Sequence, residues 1–405
     1  MSTTTTLSGD TFHSLTIEKS LRSLTSAYES KLISKRDYDL ILEFINLKRG
    51  FSNISIGRYR KLIFHLTTWR KYIGEYESNT IGDLAAGILN LQSSKTQKGV
   101  DFSPVTILDY IRILKLFYRW LIDEGLSDIT EKQIEKIRMP KTKRSKYSEE
   151  DILSQDKIEK ALSACKDLEE LTIFSLLYEG ALRIGEIGTL TWDDIDFHKT
   201  HVNLNIRFKT DFQRQIPIIV YKEYIQSWKN IKEPEPGKPV FLNRFKEPYK
   251  YAALRKKLRL IAARAELDTT LPPHLVRHIR ITHMIQEGMP RETVGLICWG
   301  QINAKELDRY AHLFGTVDEL ALRHYGIVRS DDKPAMSLTP MQCPECGYIN
   351  PPGKMFCFSC NKPLSDTASK EYAQFANNMT PDKMMSLITK IIENSHEKSN
   401  GKVTD

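Results

Sequence analysis

The sequence feature that most constrains the fold is a change of hydrophobic period along the chain. Apolar residues recur at helical spacing from residue 12 to about 130, and the clearest helix begins at Ser103-Pro104, an N-cap followed by proline in the first turn. Gly125 marks its end, and its apolar face carries Ile107, Ile111, Leu114, Phe117 and Leu121. Between His201 and Val220 apolar residues alternate with polar ones instead, which predicts a β-hairpin.

The predicted hairpin has a basic turn region. Its alternating apolar residues are Val202, Leu204 and Ile206 in the first strand and Ile216 and Ile218 in the second. Arg207 and Lys209-Thr210-Asp211 lie between the strands. Helices are predicted at about 154–165 and 168–179, and again from Ala252 to about residue 325. The predicted fold class is therefore mainly α, with an α+β domain around the hairpin.

Positive charge is concentrated rather than spread. The 405 residues include 59 basic and 51 acidic ones, for a net charge of +8. Arg138, Lys141, Lys143, Arg144 and Lys146 follow one another without an acidic residue, and a second basic group, Arg58, Arg60 and Lys61, begins a predicted helix at 58–73. Such groups suit a nucleic-acid backbone, where neutralising phosphates releases counterions. The alternative is a solvated linker and an ordinary helix surface.

Composition excludes several classes of protein. No run approaches the roughly 18 apolar residues that span a bilayer, and residues 1–10 are polar and Thr-rich, without the apolar core of a signal peptide. We expect a cytoplasmic protein without a membrane or small-molecule partner.

Three short blocks and one lysine carry the chemistry. The first block is Ala181-Leu182-Arg183-Ile184-Gly185-Glu186, the second is His274-Leu275-Val276-Arg277-His278, and the third is Arg309-Tyr310-Ala311-His312. Lys209 lies between the first two, in the hairpin. Each block alone is common, but the four in this order resemble the tyrosine recombinase (phage integrase) family of site-specific recombinases. The resemblance covers about residues 15 to 325.

The resemblance implies metal-independent DNA cleavage and strand exchange between two sites, without a catalytic cofactor. Arg183 and Arg277 would bind the non-bridging phosphate oxygens, because a guanidinium offers a planar donor fork matched to them. Tyr310 would attack and form a 3′-phosphotyrosyl intermediate. His274 would accept the phenolic proton or bind the phosphate, and Lys209 would protonate the departing 5′ oxygen.

One position departs from the family pattern. The family usually has histidine, and sometimes tryptophan, nine residues before the nucleophile, where this chain has Gln301. A glutamine still donates a hydrogen bond to phosphate but does not titrate near neutral pH. We predict Gln301 as the catalytic-site residue at this position, with Trp299 as the alternative.

The resemblance also predicts the domain organisation: a two-lobed clamp whose positive cleft holds double-stranded DNA, with four protomers on two sites. Within it the predicted domains are a helical core-binding domain (13–132) and a catalytic domain (153–328). Residue patterns rather than the resemblance predict the other parts: a disordered tail (1–12), a basic linker (133–152) and, from the C-terminal features described below, a zinc ribbon (338–365) and a C-terminal amphipathic helix with a disordered tail (366–405).

Two other functions stay open at this point. A protein of the same fold without cleavage activity would act as an architectural or regulatory DNA-binding factor, and Gln301 is the feature that favours it. A type IB topoisomerase would use similar chemistry as a monomer. Taken one by one, Arg183, His274 and Tyr310 also have ordinary readings, as a surface arginine, a buried histidine and a core aromatic residue.

The C-terminal region adds two features. Cys343, Cys346, Cys357 and Cys360 form two C-x-x-C pairs separated by ten residues, which predicts a closed structural zinc site and resembles a zinc ribbon. Cys165 and Cys298 stand apart from it. Thr380-Pro381 predicts a helix start, followed by the apolar stripe Met384, Leu387, Ile388, Ile391 and Ile392. This helix would dock on a neighbouring protomer or on its own chain.

Overall fold

The computed structural model describes most of the chain in two compact units. The described residues are 12–96, 99–140, 152–206, 213–232, 234–313, 318, 322, 325, 340–351 and 354–378. The first unit comprises Met1–Glu150 with Leu242–Arg255, and the second comprises Asp151–Phe241 with Lys256–Asp405. The predicted domain boundaries, which concern roles rather than compactness, stay a prediction. Among the described residues no helix is long and apolar enough to cross a bilayer.

The first unit is a helical bundle. Its helices are α1 (Ile17–Glu29), α2 (Lys35–Ser52), α3 (Ile56–Trp69), α4 (Ile81–Ser93), α5 (Pro104–Asp123) and the short α6 (Glu131–Glu135). Five of them begin at a Ser or Thr whose side chain accepts a backbone N–H in the first turn: Thr16, Ser34, Ser55, Thr80 and Ser103. These caps satisfy donors that a helix start leaves unpaired, which explains where the helices begin.

The core of this unit is built from all five longer helices, with α3 and α5 in contact within it. All five apolar residues predicted on the face of α5 are buried. The indole of Trp69, also buried, donates to the Tyr110 carbonyl oxygen at 3.0 Å, which ties the two helices together. Helix α3 ends at Trp69 rather than at residue 73, because the chain then forms a tighter turn, in which Tyr72 donates to the carbonyl of Trp69, three residues before it.

The second unit combines helices with a three-stranded antiparallel sheet. Its helices are α7 (Gln155–Ser163), α8 (Leu168–Glu179), α9 (Ile184–Thr189), α10 (Lys222–Lys232), α11 (Tyr251–Arg264, which begins within the first unit), α12 (Pro273–Gln286) and α13 (Arg291–Trp299), followed by a 3₁₀ helix (Lys305–Leu313). The strands are β1 (Ile195–Phe197), β2 (Val202–Ile206) and β3 (Arg214–Ile218).

The predicted hairpin is confirmed as β2 and β3, paired with Leu204 opposite Ile216. Strand β1, which the sequence analysis did not predict, adds to the other edge of β2. The buried carboxylate of Glu179 at the end of α8 accepts the backbone N–H groups of residues 219–221 at 2.8–2.9 Å. This contact fixes the exit of β3 against the helix that leads into the Arg183 block.

A small C-terminal module completes the second unit. Strands β4 (Met341–Gln342) and β5 (Ile349–Asn350) pair in antiparallel fashion, and helix α14 (Asp366–Asn378) follows. Helix α14 lies within the segment 366–405 but before Thr380, where the sequence predicted the helix to start. The predicted helix from Thr380 with its apolar stripe lies outside the described residues.

Candidate active site

The Arg183 block forms a tight turn between α8 and α9. Ala181, fully buried, adopts a left-handed conformation with φ 45° and reverses the chain after α8. Arg183 is the N-cap of α9, and its backbone N–H and its guanidinium both donate to the Glu186 carboxylate, at 2.7 and 2.9 Å. The Arg183 side chain is 29% exposed, so it remains accessible to a ligand while Glu186 orients it.

The Arg277 guanidinium is held by neutral acceptors. Arg277 lies on α12, is only 6% exposed, and donates to the carbonyl oxygens of Ala181 and, at 2.6 Å, Cys298. Its guanidinium also lies 5.1 Å from the centre of the Trp299 ring, a cation–π contact. These contacts join α12 to the Arg183 turn and to the end of α13.

Arg214 joins the hairpin to the same network. It is the first residue of β3, its side chain has no solvent exposure, and it forms an ion pair with Glu186. It also donates to the carbonyl oxygens of Ile297 and Cys298, at 2.7 and 2.6 Å. Sequence reasoning missed this residue, although a signal was present: Arg214 has the same strand parity as the buried Ile216 and Ile218.

The electrostatic balance favours an anion. Among the described residues of this network, Arg183 and Arg214 pair with the Glu186 carboxylate, and the Arg277 guanidinium lies close enough for its pKa to respond to all three. Burial lowers the pKa of Arg277 to about 10, and the neighbouring arginines act in the same direction. The guanidinium is therefore still protonated at neutral pH, in a site where positive charge exceeds negative charge.

Tyr310 lies in the 3₁₀ helix, with its hydroxyl in contact with a histidine. Its phenolic oxygen is 2.6 Å from Nδ1 of His278 on α12, and the residue is only 4% exposed. Burial raises the pKa of Tyr310 to about 12, so the phenol is neutral at ordinary pH. His278 follows Arg277 in the chain, which brings the nucleophile candidate next to the arginine network.

His278 was quoted in the sequence motif but was given no role there. The signal that points to it is its position four residues after His274, which places both imidazoles on the same side of α12. His274 itself is exposed in the first turn of that helix. The structure therefore presents one histidine to solvent and the other to Tyr310.

The remaining predicted site residues divide into three groups. Gln301 is half-buried just after α13, and Trp299, its alternative, is the residue in contact with Arg277. Arg138 and Arg60 are exposed, Arg58 is half-buried, and Lys61 forms an ion pair with Asp109 at 2.7 Å. The predicted site residues outside the described part of the chain are Lys141, Lys143, Arg144, Lys146, Arg207 and Lys209.

The four clustered cysteines come together in two equivalent turns. In the first, the Gly347 N–H donates to the Cys343 carbonyl at 2.9 Å, and in the second the Asn361 N–H donates to the Cys357 carbonyl at the same distance. Gly347 and Asn361 both adopt positive φ, 69° and 56°. All four sulfur atoms lie within 4.8 Å of one another. This repeated turn is the reason that the two C-x-x-C pairs face each other.

The cysteine module packs on the start of α10. The buried Lys222 ammonium lies 4.4 Å from the centre of the Tyr348 ring. The Tyr224 ring contacts the Phe358 ring edge to face, with centroids 6.4 Å apart, and the Lys354 ammonium lies 5.5 Å from the Tyr224 ring centre. The module is therefore attached to the same unit that contains Arg183, Arg277 and Tyr310.

A tyrosine hydroxyl beside an imidazole, next to paired guanidiniums and within a mainly helical fold, provides the groups that phosphoryl transfer through a covalent phosphotyrosine needs. Residues 151–315 match the model of the phage integrase family. Over this segment the chain is similar to that family.

Similar proteins include bacterial recombinases. Tyrosine recombinase XerC of Xylella fastidiosa (strain M23) is 24% identical over 278 residues, which cover 67% of this chain and 90% of that protein. Tyrosine recombinase XerD of Listeria monocytogenes is 24% identical over 266 residues, which cover 62% of this chain and 86% of that protein.

Solved structures share the fold. A lambda integrase dimer bound to a COC′ core site superposes with a TM-score of 0.54 at 14% identity, over 67% of this chain and 76% of that one. The Tn1549 transposon integrase in complex with circular intermediate DNA gives a TM-score of 0.52 at 17% identity, over 71% and 99%. These likenesses confirm the predicted fold class.

Proposed function

We propose that this protein cleaves and rejoins DNA at specific sites through a 3′-phosphotyrosyl intermediate and exchanges strands between two such sites. The observation that carries the proposal is one hydrogen-bonded network. Arg277 bonds to the Ala181 carbonyl, two residues before Arg183, while its chain neighbour His278 bonds to the Tyr310 hydroxyl. The three sequence blocks therefore meet at one place, as a phosphoryl-transfer site requires.

The proposed roles follow from the chemistry of each group. Arg183 and Arg277 bind the two non-bridging oxygens and stabilise the charge that develops on them, which is usually the largest catalytic contribution. Tyr310 attacks the phosphorus and displaces the 5′ oxygen, to which Lys209 donates a proton. Gln301 donates a hydrogen bond to the phosphate. The phosphotyrosine bond conserves the energy of the phosphodiester, so rejoining consumes no nucleotide.

A covalent-trapping experiment tests the proposal. Purified protein is incubated without magnesium with fragmented DNA from its source, denatured in SDS, and the protein-linked DNA is sequenced. We expect adducts that map to a short repeated sequence with the wild type and none with Tyr310→Phe. The matched control is Tyr325→Phe, which removes the hydroxyl of a tyrosine that is 77% exposed; it should form adducts at the wild-type rate.

The same experiment separates the other two functions. A DNA-binding factor without cleavage would retain DNA before denaturation and leave no adduct after it. A type IB topoisomerase would form adducts on any supercoiled plasmid, without dependence on a repeated site. Adducts in the Tyr310→Phe variant would contradict the assignment of the nucleophile.

We also propose that the basic residues Arg58, Arg60, Lys61, Arg138, Lys141, Lys143, Arg144, Lys146 and Arg207 contact the DNA backbone. Arg60 is the most informative to test, since it is exposed, whereas Lys61 already has Asp109 as a partner. Loss of a phosphate contact lowers the slope of log K against log salt by about 1. Arg60→Gln should show that change, and Lys61→Gln a smaller one.

The cysteine cluster is proposed to hold a structural zinc ion. Its ligand set is four thiolates, the donors typical of closed tetrahedral sites with Zn–S bonds near 2.3 Å, and such bonds place the sulfurs roughly 3.8 Å apart. The Cys343–Cys360 and Cys346–Cys357 sulfur pairs are each 3.6 Å apart, close to that spacing. Asn350, fully buried, donates to the Cys357 sulfur at 3.5 Å and supports the ligand.

Metal analysis of the purified protein tests the zinc proposal. We expect one zinc ion per chain in the wild type, and loss of that ion in Cys346→Ser. Cys165→Ser is the control, because Cys165 lies outside the cluster and donates to the Ala161 carbonyl. A wild-type protein that contains no zinc after purification without chelators would contradict the proposal.

Assembly and location are proposals of the same kind. We propose that four protomers assemble on two DNA sites, within the cytoplasm. Light scattering of the protein with and without a DNA fragment recovered by trapping measures the assembly. A measured mass that corresponds to one protomer on each DNA site, with both sites present, would contradict the proposed assembly.

A further inference from the structure

We infer that His278 is the catalytic residue that accepts the phenolic proton of Tyr310 when the tyrosine attacks DNA. This inference rests on the function proposed above and adds a residue to which the sequence motif gave no role. The geometry that carries it is the 2.6 Å contact between Nδ1 of His278 and the Tyr310 hydroxyl. In the tautomer with hydrogen on Nε2, Nδ1 accepts the phenol's hydrogen bond and lies in line to receive its proton.

The position of His278 is fixed by its neighbour. Arg277 is bound at both ends of its guanidinium, to the carbonyls of Ala181 and Cys298, so the backbone of α12 is anchored at this point. Ile279, the next residue, is fully buried. The His278 imidazole thus stands on a rigid segment, as a group that must meet a reacting atom within a few tenths of an ångström requires.

Tyr310 needs a proton acceptor more than an exposed tyrosine does. Burial raises the pKa of Tyr310 to about 12. At neutral pH roughly one phenol in 10⁵ would then be ionised without help. A neighbouring base makes prior ionisation unnecessary, because it takes the proton during the attack. Such a base typically raises the reaction rate 10²–10⁴-fold.

The proton balance of the step is complete without any co-reactant. The phenolic O–H bond breaks and its proton moves to Nδ1 of His278, while the phenolic oxygen forms a bond to phosphorus. The bond from phosphorus to the 5′ oxygen breaks, and that oxygen takes a proton from the acid, proposed above as Lys209. In rejoining, the 5′ hydroxyl gives its proton back to the same acid and bonds to phosphorus. The bond from phosphorus to the tyrosine then breaks, and His278 returns its proton to the phenolic oxygen.

This assignment gives the two histidines of α12 different roles. His274 is exposed in the first turn of the helix, where backbone N–H groups favour an anion, and it keeps the second of its two predicted roles, binding the phosphate. His278 faces the nucleophile instead. The charged and titratable groups that act on Tyr310 in its pocket are Arg277, Arg309 and Cys298, and Cys298 and Arg277 are themselves in contact.

The test compares two substitutions at one position. His278→Asn places an amide oxygen near the position of Nδ1, so it can accept the hydrogen bond of the phenol but not its proton. His278→Ala removes both abilities and leaves space for free imidazole. Rates of adduct formation are measured in single turnover on a DNA fragment that the wild type cleaves, with protein in excess, after circular dichroism and DNA retention have matched each variant to the wild type.

We expect His278→Asn to form adducts about 10²-fold more slowly than the wild type, and His278→Ala to be equally slow and accelerated by added imidazole. His274→Ala is the comparison, and imidazole should leave it unchanged. A His278→Asn rate equal to that of the wild type, or no response of His278→Ala to imidazole, would overturn the assignment. So would a faster His278→Ala, which would mean that the contact holds the tyrosine back.

The outcome for the wild type separates this inference from the proposed function. If the wild type forms adducts while His278→Asn is unimpaired, only the role of His278 is wrong. If the wild type forms no adduct on any DNA, the proposed function fails and the role of His278 fails with it.

Discussion

Replacing Arg214 with methionine removes the charge that links the hairpin to the arginine network while keeping a side chain of similar length. In the native protein the Arg214 side chain is fully buried and is bound by Glu186 and by the Ile297 and Cys298 carbonyls. Breaking a buried ion pair from one side typically destabilises a protein by about 3–5 kcal/mol, because the remaining charge is left without its partner.

The structure places this variant at the low end of that range. Glu186 would keep both donors from Arg183, the backbone N–H at 2.7 Å and the guanidinium at 2.9 Å. The Cys298 carbonyl would keep its bond from Arg277 at 2.6 Å. We therefore expect a loss of about 3 kcal/mol, which leaves a domain of ordinary stability, about 5–15 kcal/mol, still folded.

Urea denaturation at neutral pH measures this loss, with a common m-value as the check that both proteins unfold in the same way. The control is Arg119→Met, which breaks the Arg119–Glu131 pair at 2.6 Å, whose side chains are 45% and 46% exposed. Exposed pairs contribute at most about 1 kcal/mol. A loss for Arg214→Met as small as that of the control would refute the reasoning, since it would mean that solvent screens the Arg214–Glu186 pair.

Three further changes test separate features. Ala181→Gly should be neutral or stabilising in thermal unfolding, because glycine adopts a left-handed φ of 45° without strain. The control is Ala161→Gly, at an equally buried position within a helix, which should lower the free energy of unfolding by about 1 kcal/mol or more. Gly295→Ala would place Cβ 2.4 Å from the Gln301 carbonyl oxygen and should destabilise the protein by about 1–3 kcal/mol. The control is Gly50→Ala, whose added Cβ would have no atom within 4 Å, and it should stabilise the protein by about 0.5–1 kcal/mol. In a phenolate absorbance titration, the difference between the wild type and Tyr310→Phe should show a group whose pKa is raised to about 12. Because the folded pKa exceeds the unfolded value of about 10, this group's contribution to stability is present below pH 10 and lost as pH rises toward 12.

The helices and the hairpin could be predicted because their signals are local. The start of α5 is indicated by two adjacent residues, Ser103 and Pro104. Its buried face is indicated by apolar residues three or four positions apart. Strand β1 carried no such signal, since three residues are too few to establish an alternation. The left-handed conformation of Ala181 could not be predicted either. Glycine adopts positive φ routinely and so indicates such a position in a sequence, but alanine does not.

The candidate site was predictable in its composition but not in its contacts. The motifs supplied Arg183, Arg277 and Tyr310 because their order along the chain is distinctive. Which histidine meets Tyr310 depends on how α12 is rotated against the 3₁₀ helix, and packing over long sequence distances sets that rotation. The role of Arg214 depends in the same way on contacts with residues more than 80 positions away in sequence.

The choice of partners around Arg277 explains how a buried site keeps its positive charge for a ligand. A carboxylate partner would hold the guanidinium equally well but would neutralise its charge. A phosphate would then be attracted less strongly to the site. Carbonyl oxygens of Ala181 and Cys298 accept from two of the five N–H donors of a guanidinium and hold Arg277 without that loss. The carboxylate nearby, Glu186, is shared between Arg183 and Arg214, so neither arginine has it alone. Neutral acceptors fix the geometry, and the excess positive charge remains for the phosphate that the proposed function requires.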